Sequence, residues 1–163
     1  MRGPQGALAG CQARLSLVAP GSIHITLKFL GEIDEKTLGR VKEALSALRF
    51  DPFEISLAGV KGNPPPNPRV IWCEVRDNGG CRRLFELVEG ALAPLGIPRE
   101  KRPYTPHATL ARVKRPDPSL IPVLKSLDAE EFGSCPVRSI RLKKSTLTPA
   151  GPIYEDLLEV PCS

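Results

Sequence analysis

The chain reads as an α+β domain made of two similar halves, and three observations predict this. Segments of period-two and period-3.6 hydrophobicity follow one another in the order strand, helix, strand, strand, and that order recurs. The length of 163 residues fits one domain with a real core. The tetrapeptide H-x-T-L occurs once in each half, as His24-Ile25-Thr26-Leu27 and as His107-Ala108-Thr109-Leu110.

Each element has a local reason. Residues 22–30, SIHITLKFL, alternate Ile23, Ile25 and Leu27 against His24, Thr26 and Lys28, which predicts a strand with one polar face. Asp34 is placed to cap a helix in which Leu38, Val41, Leu45 and Leu48 recur at helical spacing. FEISLAGV, 53–60, alternates as a second strand, and a proline-rich loop, 62–68, leads to a third, RVIWCEV, 69–75. Gly79 and Gly80 break the chain before a helix with Leu84, Leu87, Val88, Ala91 and Leu95 on one face, ended by Gly96. PHATLARV, 106–113, is a strand expected to set Ala108, Leu110 and Val113 against His107, Thr109 and Ala111. A short helix over 119–127 and strands over 137–144 and 153–160 complete the chain.

Composition narrows the class. With 41% hydrophobic and 25% charged residues the chain is of the globular type, and no run approaches the roughly 18 apolar residues of a membrane helix, so a soluble protein is expected. Leu8-Ala9-Gly10-Cys11 imitates a lipoprotein cleavage box, but Gly3, Pro4, Gln5 and Gly6 are no apolar segment ahead of it. Five scattered cysteines, without a C-x-x-C pair, favour neither a disulfide framework nor a zinc site and fit a reducing cytoplasm. Cys73 and Trp72, both inside an apolar strand, read as core.

The chemistry lies in the repeated motif, because the chain's two histidines both sit in it. One such histidine would be read as an ordinary strand residue; two in identical settings point to a site. In a strand, residues i and i+2 share a face, so each H-x-T presents an imidazole beside a hydroxyl. Two halves related by a pseudo-twofold axis would bring both pairs to one groove. Histidine, with an unperturbed pKa of about 6.5, lets one ring be neutral while its mate is charged near pH 7. That pair suits in-line displacement at phosphorus: one ring takes a proton from water, the other gives one to the departing oxygen, and the threonines hold phosphate oxygens. Such chemistry requires no metal and no cofactor, and the histidines lack the companion ligands of a metal site. Nucleotide-binding loops of the G-x-x-x-x-G-K-[ST] and G-x-G-x-x-G types are absent from the sequence.

HITLKFLGE, RVIW after a proline loop, PHATLAR and LKKSTLTPAGPIYEDL together resemble the two-histidine (2H) phosphoesterases, specifically the LigT-like RNA 2′,3′-cyclic phosphodiesterases, also called 2′-5′ RNA ligases. The resemblance runs from about Val18 to Val160. It implies a bilobal fold over 1–163 with two antiparallel sheets around a central groove and helices outside. It further implies hydrolysis of an RNA 2′,3′-cyclic phosphate to a 2′-phosphate. His24 would be the proton donor toward the 3′ oxygen and His107 the proton acceptor for water. Thr26, Thr109 and Arg112 would contact the phosphate. The acid and base roles rest on the resemblance, since the two motifs are nearly symmetric. The same site run backwards would be a 2′-5′ RNA ligase, and a groove that only grips a nucleotide or RNA end is the non-catalytic alternative.

Members of this family usually open with a β-rich strand and a full helix before the first H-x-T, whereas residues 7–17 offer at most the end of that helix. The opening strand is therefore expected to be missing. A formal charge of +5 fits an RNA partner carrying a 2′,3′-cyclic phosphate end, tRNA fragments among them, bound by a monomer. Arg99, Lys101 and Arg102 precede the second motif, Arg112, Lys114 and Arg115 follow it, and Arg141, Lys143 and Lys144 lie on the penultimate strand; a merely solvated face would carry the same residues. Tyr104, among prolines just ahead of His107, is the candidate for stacking on a base.

Overall fold

In the computed structural model residues 3–149 and 151–163 are described. Glycines and prolines punctuate the chain into α1 (Pro4–Leu8), β1 (Arg14–Leu17), α2 (Glu35–Ser46), β2 (Phe53–Asn63), β3 (Val70–Arg76), α3 (Gly80–Leu92), β4 (His107–Arg115), α4 (Leu120–Leu127), β5 (Glu131–Val137), β6 (Ser139–Thr148) and β7 (Gly151–Pro161). Short 3₁₀ turns cover Pro20–Ser22 and Ala93–Leu95. Asp34 caps α2 as its position predicts, its Oδ1 accepting the Thr37 backbone N–H at 2.7 Å. On α3 the buried stripe is Cys81, Leu84, Val88 and Leu92, while Leu87 stands 41% exposed, one step off the stripe.

The β1–β4, β3–β4, β2–β3 and β6–β7 pairings are antiparallel. One sheet runs β1-β4-β3-β2-β5, and a separate ribbon pairs β6 with β7. The chain divides into two compact units, each assembled from three stretches: residues 1–26, 55–78 and 106–135 in the first, 27–54, 79–105 and 136–163 in the second. The expected halves, one after the other in sequence, are thus not the compact bodies; the first half supplies β1, β2 and β3 to the first unit and α2 to the second, and the second half supplies strands to both.

Each unit has its own core. In the first, Leu8, Val60, Ile71, Cys73, Ala108, Leu110, Ala111, Leu120 and Leu127 are buried together between the sheet and helices α1 and α4. In the second, Val41, Leu45, Leu84, Val88 and Leu92 of the two longer helices meet Phe50, Ile97 and Val160, with Ile140, Leu142 and Leu158 of the ribbon packed against them.

Three expectations need correction, and one strand was not expected at all. Residues 22–30 do not form a continuous strand: only Ile25 makes a ladder contact, because the turn at Pro20–Ser22 interrupts the edge beside β4, and from Leu27 the chain belongs to the second unit. Residues 14–17, read as the end of a helix, are strand β1, since β4 offers them an edge to pair with. β5 has no apolar alternation to betray it; it forms because β2 has a free edge, and the Gly59 N–H donates to the Glu130 carbonyl at 2.8 Å where the two strands meet. Trp72 is not core: Ile71, Cys73 and Val75 are the buried positions of β3, and Trp72 is half-buried on the other face.

Candidate active site

All four motif side chains lie in the first unit, and strand pairing brings them together. Ile25 forms an antiparallel bridge with Ala108. In an antiparallel pair the residues flanking a bridge oppose each other in reverse order and share a face. Thr109 therefore stands across from His24, and Thr26 across from His107. Ala108 is buried in the core, so the flanking side chains point to the opposite, open face of the sheet. The two motifs lie side by side, joined by this single bridge.

The His24 ring is held from below. Its Nδ1–H donates to the Ser22 carbonyl at 2.7 Å, and a carbonyl can only accept, so Nδ1 carries the proton. The 3₁₀ turn at Pro20–Ser22 is what presents that carbonyl.

On β4 a bulge decides where Arg112 points. Ile71 pairs with Ala111 and Trp72 with Thr109, leaving Leu110 without a register partner on β3. A bulge of one residue resets the alternation of the strand. Leu110 and Ala111 are both buried in consequence, which corrects the expected exposure of Ala111, and Arg112 returns to the exposed face with His107 and Thr109. Without the bulge, strict alternation would turn Arg112 toward the core.

β3 supplies the neighbours that sequence reasoning missed. Glu74 is the register partner of His107, and Trp72 that of Thr109. The Trp72 and His107 rings meet with centroids 5.2 Å apart and planes tilted by 58°. Lys61 of β2 donates to Glu74 at 2.8 Å and lies 3.9 Å from Asp128; the bond to Glu74 raises the Lys61 ammonium above its ordinary range. The strict alternation of Val70, Trp72 and Glu74 against Ile71, Cys73 and Val75 is the signal that could have placed Trp72 on the open face. Beneath that face, burial pushes the Cys73 thiol up to about 11, with the Glu74 carboxylate adding to the effect.

The other predicted residues are divided between the units, Arg112, Lys114 and Arg115 in the first and the rest in the second. Tyr104 is half-buried with one ring face stacked on Phe85, at 4.5 Å and 4°. Arg112, Lys114 and Arg115 are carried by β4, where all three are exposed, as are Arg99, Lys101 and Arg102 ahead of that strand. Arg141 and Lys143 are engaged across the ribbon: Arg141 reaches Asp156 at 3.3 Å and Glu159 at 3.2 Å, and Lys143 bonds Asp156. The Lys143 bond holds the Asp156 carboxyl below its usual range. This stretch of the expected basic face is largely neutralised. Among the described residues no group of three or more His, Cys, Asp or Glu side chains is gathered as a metal would need.

The family model of the 2′-5′ RNA ligase superfamily matches residues 8–147. The chain belongs to this superfamily. Among relatives of this 2′-5′ RNA ligase superfamily member, the RNA 2′,3′-cyclic phosphodiesterase of Archaeoglobus fulgidus is 45% identical over 141 residues, covering 86% of this chain and 80% of the relative. That of Aeropyrum pernix is 42% identical over 150 residues, 90% and 85% of the two chains. A crystal structure of a Thermus thermophilus protein superposes with a TM-score of 0.75 at 32% identity, covering 90% of this chain and 81% of that one. Escherichia coli LigT in complex with 3′-AMP shares the fold at a TM-score of 0.73 and 22% identity, over 90% and 80% of the chains. This superfamily member thus has the α+β fold of the LigT-like 2H phosphoesterases.

Proposed function

We propose that the protein is a metal-independent RNA 2′,3′-cyclic 3′-phosphodiesterase that uses His24 and His107 as an acid and base pair. The observation that carries this reading is the Ile25–Ala108 bridge, which sets an imidazole and a hydroxyl from each motif on one open sheet face. The relatives bearing the name RNA 2′,3′-cyclic phosphodiesterase support the same substrate.

In the proposed step the His107 ring accepts a proton from water as its oxygen bonds to phosphorus. The phosphorus–O3′ bond breaks in line, and charged His24 passes a proton to O3′ from Nε2. The product carries a 2′-phosphate and a free 3′-hydroxyl. Donation from Nδ1–H to the Ser22 carbonyl suits His24 to the acid role, because it holds the second N–H of the charged ring while Nε2 donates. Thr26, Thr109 and Arg112 contact the non-bridging oxygens, where negative charge builds up.

The test is to incubate the purified protein, with a chelator present, with an oligonucleotide ending in 2′,3′-cyclic phosphate and to locate the phosphate in the product. A 2′-phosphate, a bell-shaped dependence of kcat/KM on pH and losses of roughly 10²- to 10⁴-fold in His24→Ala and in His107→Ala are expected. Full activity in either variant overturns the proposal, and a new 2′-5′ linkage as the main product would assign the reverse reaction.

A further inference from the structure

Trp72 is placed where packing does not explain it. The buried positions of β3 are Ile71, Cys73 and Val75, so the largest apolar side chain of the strand is turned away from the core that would reward its burial. On the open face its register partner is Thr109, and the diagonal neighbour within reach of an aromatic ring is His107. The two rings are in contact at 5.2 Å and 58°, a tilted arrangement that aromatic pairs favour.

His107 is itself exposed at the first position of β4. The charged or titratable groups around it are Glu74 directly across on β3, Lys61 on β2 bonded to Glu74, His24 of the paired motif, and Arg112 on its own strand. Beside these groups, the indole packs against the imidazole ring itself. We propose that Trp72 is a positioning residue for His107, a wall that keeps the imidazole in one orientation on the sheet face. The inference deepens the hydrolase reading and rests on it. A proton acceptor free to rotate spends time misaimed, and misplacement near 1 Å is enough to cost rate on the order of 10²-fold.

Trp72→Leu and Trp72→Phe test this with a nucleoside 2′,3′-cyclic phosphate as substrate and with ¹⁵N spectra of the histidine rings in the resting protein. In Trp72→Leu, kcat should fall roughly tenfold with KM held within about twofold, and Trp72→Phe should recover most of the loss. The His107 ring signals should be sharp in the wild type and in Trp72→Phe but averaged or broadened in Trp72→Leu, with those of His24 unmoved. Unchanged His107 signals in Trp72→Leu overturn the proposal, as does a loss expressed wholly in KM, which would make the indole a substrate contact. If the wild type hydrolyses nothing, the hydrolase reading falls, and the ring spectra alone decide whether Trp72 fixes His107.

Discussion

Ile25 and Ala108 are antiparallel partners, and this one bridge interleaves the two motifs so that each histidine stands across from the other motif's threonine. The bridge depends on Ala108 being small: it is 2% exposed, under the same sheet face that carries His107 and Thr109. Ala108→Leu should overpack the core by about 1–3 kcal/mol and push the two segments apart. Urea unfolding would show the stability loss, and the activity of the folded variant should fall by roughly an order of magnitude or more.

Lys28 and Glu89 form an ion pair buried on both sides, with side chains 6% and 4% exposed. Lys28 also donates to the Pro98 carbonyl at 2.8 Å, and Glu89 accepts the Glu100 backbone N–H at 3.2 Å. The pair thus ties the segment after the first motif and the loop at Pro98–Glu100 to α3. Glu89→Ala leaves a buried ammonium uncompensated and should cost about 3–5 kcal/mol in denaturant unfolding. A double replacement, Lys28→Met with Glu89→Leu, should recover much of that loss, since no lone charge remains inside.

Gly59 occupies the bulge of β2, between Ala58, paired with Glu74, and Val60, paired with Cys73. Its φ is +66°, and a Cβ there would stand 2.7 Å from the Asp128 carbonyl oxygen. Gly59→Ala combines left-handed strain with a backbone clash and should destabilise by at least about 1–3 kcal/mol. A thermal or urea midpoint equal to that of the wild type would contradict this.

Cys73, with its thiol pushed up to about 11 from an ordinary 9.0, stays protonated in the folded protein at pH 8. A maleimide should label exposed Cys135 first and Cys73 only on unfolding, as mass spectrometry would show. The unfolded chain loses this proton near pH 9 and the folded chain near pH 11, so the group's contribution to stability is complete below pH 9 and declines between pH 9 and 11.

Arg112 shows how far local reading goes. Its membership in the site is carried by resemblance alone, since simple alternation from His107 would place 107, 109 and 111 on one face. The bulge at Leu110 reverses this, and nothing in LARV marks a bulge, because an extra residue becomes visible only against the partner strand. Trp72 is the opposite case: the alternation of RVIWCEV was enough to turn it outward, but its apolar character argued for the core. Leu87 fails for a similar reason, as an apolar residue near a helical stripe need not lie on it.

The elements with a strong period, α2, α3, β3 and β4, and the two H-x-T-L motifs were legible in the chain because helix spacing, strand alternation and a repeated tetrapeptide are local properties. Strands β1 and β5, the interleaving of both halves into each compact unit, the Leu110 bulge and the Ile25–Ala108 bridge were decided only in three dimensions. The physical reason is that a strand edge, a bulge and a register are relations between distant segments, set by which backbone groups find partners and which side chains can share a core. The residue types of the site were therefore written in the sequence, while their arrangement into two crossed histidine–threonine pairs came from strand pairing.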